Sequence, residues 1–219
     1  MTIDPATLRE MAAALPDEER DEMAIPSYLH KNPALRWMAW RRVHVVGARL
    51  RALCPPGGAL LDFGCGAGVQ LEAACAVANT VYGVDLVLGP ARLWVERKGL
   101  GKVRLMGPEG LAGLPDGCLD LVVAAEVLEH IDDLGPVLAD FRRLLKPGGR
   151  LLVSLPTEGR LYRLGRRLAG FDGHFHVHNA ASIDATIQAA GWAPTERAHI
   201  PAPGPLAIYL VAAYAPAPA

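Results

Sequence analysis

A chain of 219 residues, 51% hydrophobic, with 22 basic and 23 acidic side chains for a formal charge of −1, is long enough to bury a core as one domain without covalent staples. Near-neutrality removes any global field that would favour nucleic acid or an anionic surface, so partners have to be argued locally. Cys54, Cys65, Cys75 and Cys118 form no C-x-x-C pair; zinc-type spacing is absent, and the scatter suits reduced thiols in a cytoplasmic protein better than a disulfide framework.

Residues 1–20 carry five acids and no apolar stretch, so no secretory leader is expected, and no window has the length of a membrane-spanning helix. Residues 1–33 are expected to form an N-terminal segment or lid. Apolar residues at helical spacing, including Leu35, Met38, Val45, Val46 and Leu50, predict a helix over 34–53, stopped by Pro55, Pro56, Gly57 and Gly58. A buried strand follows at 59–63, then a helix over 69–78, a strand at 80–84 closed by Asp85, a helix over 90–98 and a strand at 103–106. Residues 107–110 are loop chemistry. A strong apolar strand at 119–125 precedes a helix over 134–145, which Lys146, Pro147, Gly148 and Gly149 are expected to end before a strand at 150–155. A helix over 182–190 with Gly191 as its stop and two strands, 194–200 and 206–214, complete the pattern, leaving 216–219 as a tail. Successive βα units imply an α/β fold with parallel strands.

Residues 60–68, LLDFGCGAG, join a buried strand to an acid and three alternate glycines, Gly64, Gly66 and Gly68. Glycine accepts positive φ and lets main-chain N–H groups come close to a ligand beyond the strand end. The dinucleotide fingerprint needs G-x-G-x-x-G, and Val69 stands where its third glycine would fall.

Four blocks in order, 60–68, 81–85 (VYGVD), 119–130 (LDLVVAAEVLEH) and 145–156 (LKPGGRLLVSLP), resemble those of class I S-adenosylmethionine-dependent methyltransferases. The resemblance extends over about residues 34–215. It implies a Rossmann-like seven-stranded sheet, mostly parallel with an antiparallel last strand and helices on both faces. It also implies S-adenosyl-L-methionine as cofactor, S-adenosyl-L-homocysteine as product, and cofactor contacts from Asp62, Gly64, Gly66, Gly68, Asp85, Leu86, Ala125 and Glu126. Asp85, ending the second strand, is expected to accept from both ribose hydroxyls. Asp62 has two readings, a carboxylate capping the glycine loop or a partner of the cofactor's amino group. Glu126 also has two, a neighbour of the sulfonium or an acid favoured by a helix N-terminus. Ala124 and Ala125 are expected as a floor beneath the cofactor. Pro108 stands where many relatives carry an adenine-binding acid, and either Glu109 or main-chain groups are expected to take its place.

A cap insertion is expected over 156–181. Arg160, Arg163, Arg166 and Arg167 interleave there with apolar residues as an amphipathic helix, suited to an acidic or lipid-linked substrate, to an anionic membrane surface or to solvent. His174, His176 and His178 alternate in one extended segment and have two readings, loop packing or a general base or hydrogen-bonding group toward the acceptor; no metal site is expected. Tryptophans in the run 28–42 are expected to pack in the core. The expected activity is methyl transfer to an oxygen, nitrogen or carbon nucleophile of a small-molecule, saccharide or lipid-linked acceptor, without nucleic acid. A nicotinamide oxidoreductase and a cofactor-binding partner without catalysis are the alternatives.

Overall fold

Three apolar clusters determine how the chain packs in the computed structural model, which describes residues 2–15, 24–157 and 179–217. Seven strands make one sheet: β1 (Ala59–Phe63), β2 (Thr80–Val84), β3 (Val103–Met106), β4 (Leu119–Ala125), β5 (Leu145–Pro156), β6 (Trp192–Ile200) and β7 (Tyr209–Pro216). Their order is β3-β2-β1-β4-β5-β7-β6, with β7 antiparallel to both β5 and β6 and the other pairings parallel. The switch point lies between β1 and β4, which pair with each other while the chain leaves β1 for β2 on its other side.

Side chains alternate across the strands, so Leu61, Phe63, Val122 and Ala124 enter one cluster while Leu60, Leu121 and Val123 enter the other. The first cluster is covered by α6 (Leu134–Leu144) and α7 (Ala180–Ala189); Phe141 meets Phe63 edge to face at 5.1 Å between centroids. Asp133 caps α6 by accepting from Gly135 N, and Asn179 and Ser182 form a reciprocal capping box on α7. The second cluster is covered by α3 (Pro33–Leu53), α4 (Leu71–Cys75) and α5 (Gly89–Lys98). The third joins α1 (Pro5–Ala13) and α2 (Ile25–Tyr28) to Ala39, Val43 and Trp94. Arg97 on α5 further ties α1 by donating to Thr7 Oγ1 and Glu10 Oε2.

Two expectations about elements need correction. The helix expected over 69–78 is only the five residues of α4, because the glycine loop keeps turning through Gln70 and the chain tightens again after Cys75, where Val77 N reaches only to Ala74 O. The helix over 134–145 ends at Leu144, as expected, but the block LKPGG does not separate it from a strand beginning at 150. It belongs to β5, where Leu119 pairs with Leu145 and Leu121 with Arg150, so a bulge carries Lys146, Pro147, Gly148 and Gly149 out of register. Gly148 takes φ +84 there, and Lys146 reaches Asp120 Oδ2 at 2.7 Å. The same oxygen accepts from Ala59 N at 2.8 Å, so the bulge fastens the start of β1 across β4.

Candidate active site at the carboxyl edge of the sheet

The loop after β1 is built by its neighbours. Gly64 N and Cys65 N both donate to Val84 O, and Gly68 N donates to Cys65 O, which curls the chain over the end of β2. Gly64, Gly66 and Gly68 adopt φ of +73, +51 and +75. They serve different ends. A Cβ on Gly64 would lie 2.5 Å from Val127 Cβ, whereas a Cβ on Gly66 would meet nothing within 4 Å. Protein fills the space at Gly64, and open space remains at Gly66. An alanine at 64 is therefore expected to cost about 2–4 kcal/mol of stability through overlap and a left-handed backbone. An alanine at 66 should cost only about 1 kcal/mol; thermal melts of the two variants check the contrast.

Asp85 anchors this loop, with Oδ2 accepting from Gly66 N at 2.7 Å and Oδ1 from Val87 N at 3.1 Å. Each oxygen retains a lone pair for a further donor. Asp62, 2% exposed, stands beside it on β1, and no described group donates to its Oδ2. The loop is thus held by Asp85, and Asp62 keeps a buried oxygen in search of a partner. Burial, with the Asp85 carboxylate adding to it, pushes the Asp62 carboxyl up to about 7. Leu86, next to Asp85, is 86% exposed. Glu109 lies in a 3-10 turn, Pro108–Gly113, exposed and folded back over Gly107. Ala125 is half-buried at the end of β4, while Ala124 is fully buried in the core, so only Ala125 can belong to a floor.

Glu126 has partners that sequence reasoning missed. It takes φ +58, rare for a side-chain-bearing residue, immediately beyond β4. Ser154 Oγ on β5 donates to its Oε1 at 2.9 Å, and Arg42 Nη1 on α3 lies 2.9 Å from its Oε2. Arg42 is 7% exposed, donates through Nη2 to Tyr28 OH at 3.1 Å and lies over the Tyr209 ring at 5.1 Å. Burial opposes its charge, but Glu126 and the tyrosines outweigh that and raise its pKa; burial pushes Tyr209 up to about 12. Helices α2 and α3 are thereby joined to the ends of β4, β5 and β7 through one buried polar cluster. The available signal was spacing: Arg42 lies three residues after Ala39 and four before Val46, on the buried stripe of α3. Trp37, expected in the core, is 56% exposed. The arginines of 160–167 and His174, His176 and His178 lie outside the described residues.

A sequence profile for a methyltransferase domain matches residues 28–197. The chain belongs to this methyltransferase family. It is 39% identical over 102 residues to a ubiquinone biosynthesis O-methyltransferase of Thiobacillus denitrificans, covering 45% of this chain and 44% of that one. It is 31% identical over 172 residues to a probable S-adenosylmethionine-dependent methyltransferase of Mycolicibacterium smegmatis, covering 78% and 63%. The chain spans about half the length of most of the curated methyltransferases it matches. Among solved structures, the N-methyltransferase NodS of Bradyrhizobium japonicum with S-adenosylhomocysteine superposes with TM-score 0.66 at 20% identity, over 95% of this chain and 96% of that one. A Burkholderia thailandensis 1,6-didemethyltoxoflavin N1-methyltransferase, solved with its substrate and S-adenosylhomocysteine, gives 0.66 at 21% identity over 100% and 92%. At such identities the likeness establishes the methyltransferase fold: a seven-stranded, mostly parallel sheet with helices around it and β7 reversed.

Proposed function

We propose that the protein transfers a methyl group from S-adenosyl-L-methionine to an oxygen nucleophile of a small acceptor. The observation that carries this reading is the buried Asp62 Oδ2, without a donor, beside the Asp85 carboxylate and the open space at Gly66. An unpartnered buried carboxylate is costly, and a cationic ligand with N–H groups removes the cost. In this reading Asp62 meets the ammonium end of the cofactor, Gly66 leaves room for its main chain while Gly64 and Gly68 shape the loop against protein, Asp85 accepts from the ribose, and Leu86, Glu109 and Ala125 border the adenosine. The cofactor supplies a methyl group already activated on a sulfonium. What remains for the chain is to position the acceptor and exclude water. Arg42, Glu126, Tyr28 and Tyr209 form the polar wall on the acceptor side, and His174, His176 or His178 takes the acceptor's proton.

Oxygen is favoured because the relatives include O-methyltransferases named for ubiquinone biosynthesis and for malonyl-acyl carrier protein. Within the wall, Glu126 already compensates Arg42, which suits an uncharged hydroxyl better than a carboxylate. Calorimetric titration with S-adenosylmethionine, S-adenosylhomocysteine and NAD tests the cofactor, with binding of the first two alone expected; binding of NAD alone would overturn the reading. Release of S-adenosylhomocysteine across phenolic, carboxylate and amine acceptors then tests the nucleophile. Unchanged turnover in each of His174→Ala, His176→Ala and His178→Ala would remove the histidines from the scheme.

A further inference from the structure

Between residues 23 and 61 the sequence has no Asp or Glu but six cations, Lys31, Arg36, Arg41, Arg42, Arg49 and Arg51, which leaves the remainder of a −1 chain at −7. Arg36 donates to His30 O at 2.9 Å, and two of the six pair with acids, Arg42 with Glu126 and Arg49 with Glu196. The other four are exposed. On α3, Trp37, Arg41, His44, Ala48 and Arg51 recur at spacings of four, three, four and three, and all are exposed. They make one straight row, roughly 20 Å long at the helical rise. Arg36 flanks it. Trp94 and Trp192 are 2% exposed, whereas Trp37 stands 56% exposed at the head of this row.

We propose that this outer face of α3 docks on an anionic lipid bilayer. An indole has an apolar body with one N–H and settles at headgroup depth, and arginine can lay its stem along the boundary while its guanidinium meets phosphates. Charge complementarity comes from Arg36, Arg41, Arg51 and Lys31 without an interleaved acid. The flat, single-row geometry favours a bilayer over a nucleic acid, since a polyanion wrapping the protein would meet the acidic remainder, whereas a plane meets the row alone. Arg42 sits on the inner side of the same helix, so docking would hold the acceptor wall about 10 Å from the lipid surface, one helix width away. That consequence rests on the proposed function; the docking itself does not.

The test is co-sedimentation of the full chain with vesicles of phosphatidylcholine alone or mixed with phosphatidylglycerol, followed in parallel by tryptophan emission. Binding is expected only to the mixed vesicles, and raised salt should release it. Arg36→Glu with Arg41→Glu is expected to weaken it by at least about tenfold, and Trp37→Phe to remove most of the emission shift, with cofactor binding retained in both variants as the mark of an intact fold. Asp17, Glu18, Glu19, Asp21 and Glu22 precede this stretch and lie outside the described residues; their amide variant should bind at least as tightly as the parent. Equal binding to both vesicle types, or undiminished binding by the double variant, would overturn the proposal. So would weaker binding by the amide variant, or tighter capture by a short DNA duplex than by the mixed vesicles at the same salt.

Discussion

Asp62→Asn is expected to make the ligand-free protein more stable while weakening S-adenosylmethionine binding on the order of 10–100-fold. The carboxyl is pushed up to about 7 from an ordinary 3.8, first by burial and then by Asp85. A folded-state pKa above the unfolded one means that the protonated form is the one the fold favours. Its contribution is complete below the unfolded value and is lost as pH rises through 4 toward the folded value near 7. Asparagine keeps the shape and never ionises, so the stability difference between variant and parent should be small in acid and grow through this window to a few kcal/mol above it. Urea melts of both proteins at pH 5 and pH 8 measure this; an equal difference at the two values would refute it. The same linkage makes cofactor binding near neutrality release a proton, which titrations in buffers of different ionisation enthalpy would record. Stability held back at a binding site is the usual relation between function and fold.

Arg42→Met should cost about 3–5 kcal/mol, the range for leaving one member of a buried ion pair without the other. At this chain length that is roughly a 10 °C loss in Tm. Glu126 and Ser154 then keep a carboxylate and hydroxyl at the end of β4 with their cation removed. Adding Glu126→Gln to Arg42→Met is expected to return part of the loss, because the stranded charge is gone; the four proteins form a double-mutant cycle whose coupling exceeds about 1 kcal/mol. Purely additive effects would mean the pair is not coupled. S-adenosylmethionine affinity should fall much less than in Asp62→Asn, since Asp62, Gly66 and Asp85 stand on the other side of the switch point.

The strands of the sheet's first half were legible because each is a short apolar run closed by glycine or an acid, and β1, β2, β3 and β4 lie where those runs predict. The glycine loop was legible as a place of close approach, but not that Val127 fills the space at Gly64 while Gly66 stays open. That distinction depends on a residue 63 positions away in sequence. The LKPGG block misled because proline and paired glycines stop helices and make bulges alike, and only pairing with Leu119 and Leu121 separates the two. Arg42 was hidden for a related reason: in a run of arginines, composition cannot tell the one that turns inward from those that face water. Its buried stripe was visible in the spacing, but its partner Glu126 lies in another block and its cost is acceptable only because that partner exists.

The strand order has a consequence for inheritance. The residues assigned to the methyl donor from Asp62 to Glu109 are encoded on one stretch that ends before β4; Ala125 closes β4 and Glu126 follows it, and β4 to β7 with α2 and α3 supply the opposite wall. A single crossover in the connection at residues 114–118 would exchange one half for another, and the mating surface it must preserve is the short ladder of Leu60, Leu61, Asp62 and Phe63 against Leu121, Val122, Val123 and Ala124. Recombinants at this seam can inherit a donor site from one parent and most of an acceptor site from the other, but α3 precedes the crossover and stays with the donor half, so its Arg42 has to meet the other parent's Glu126.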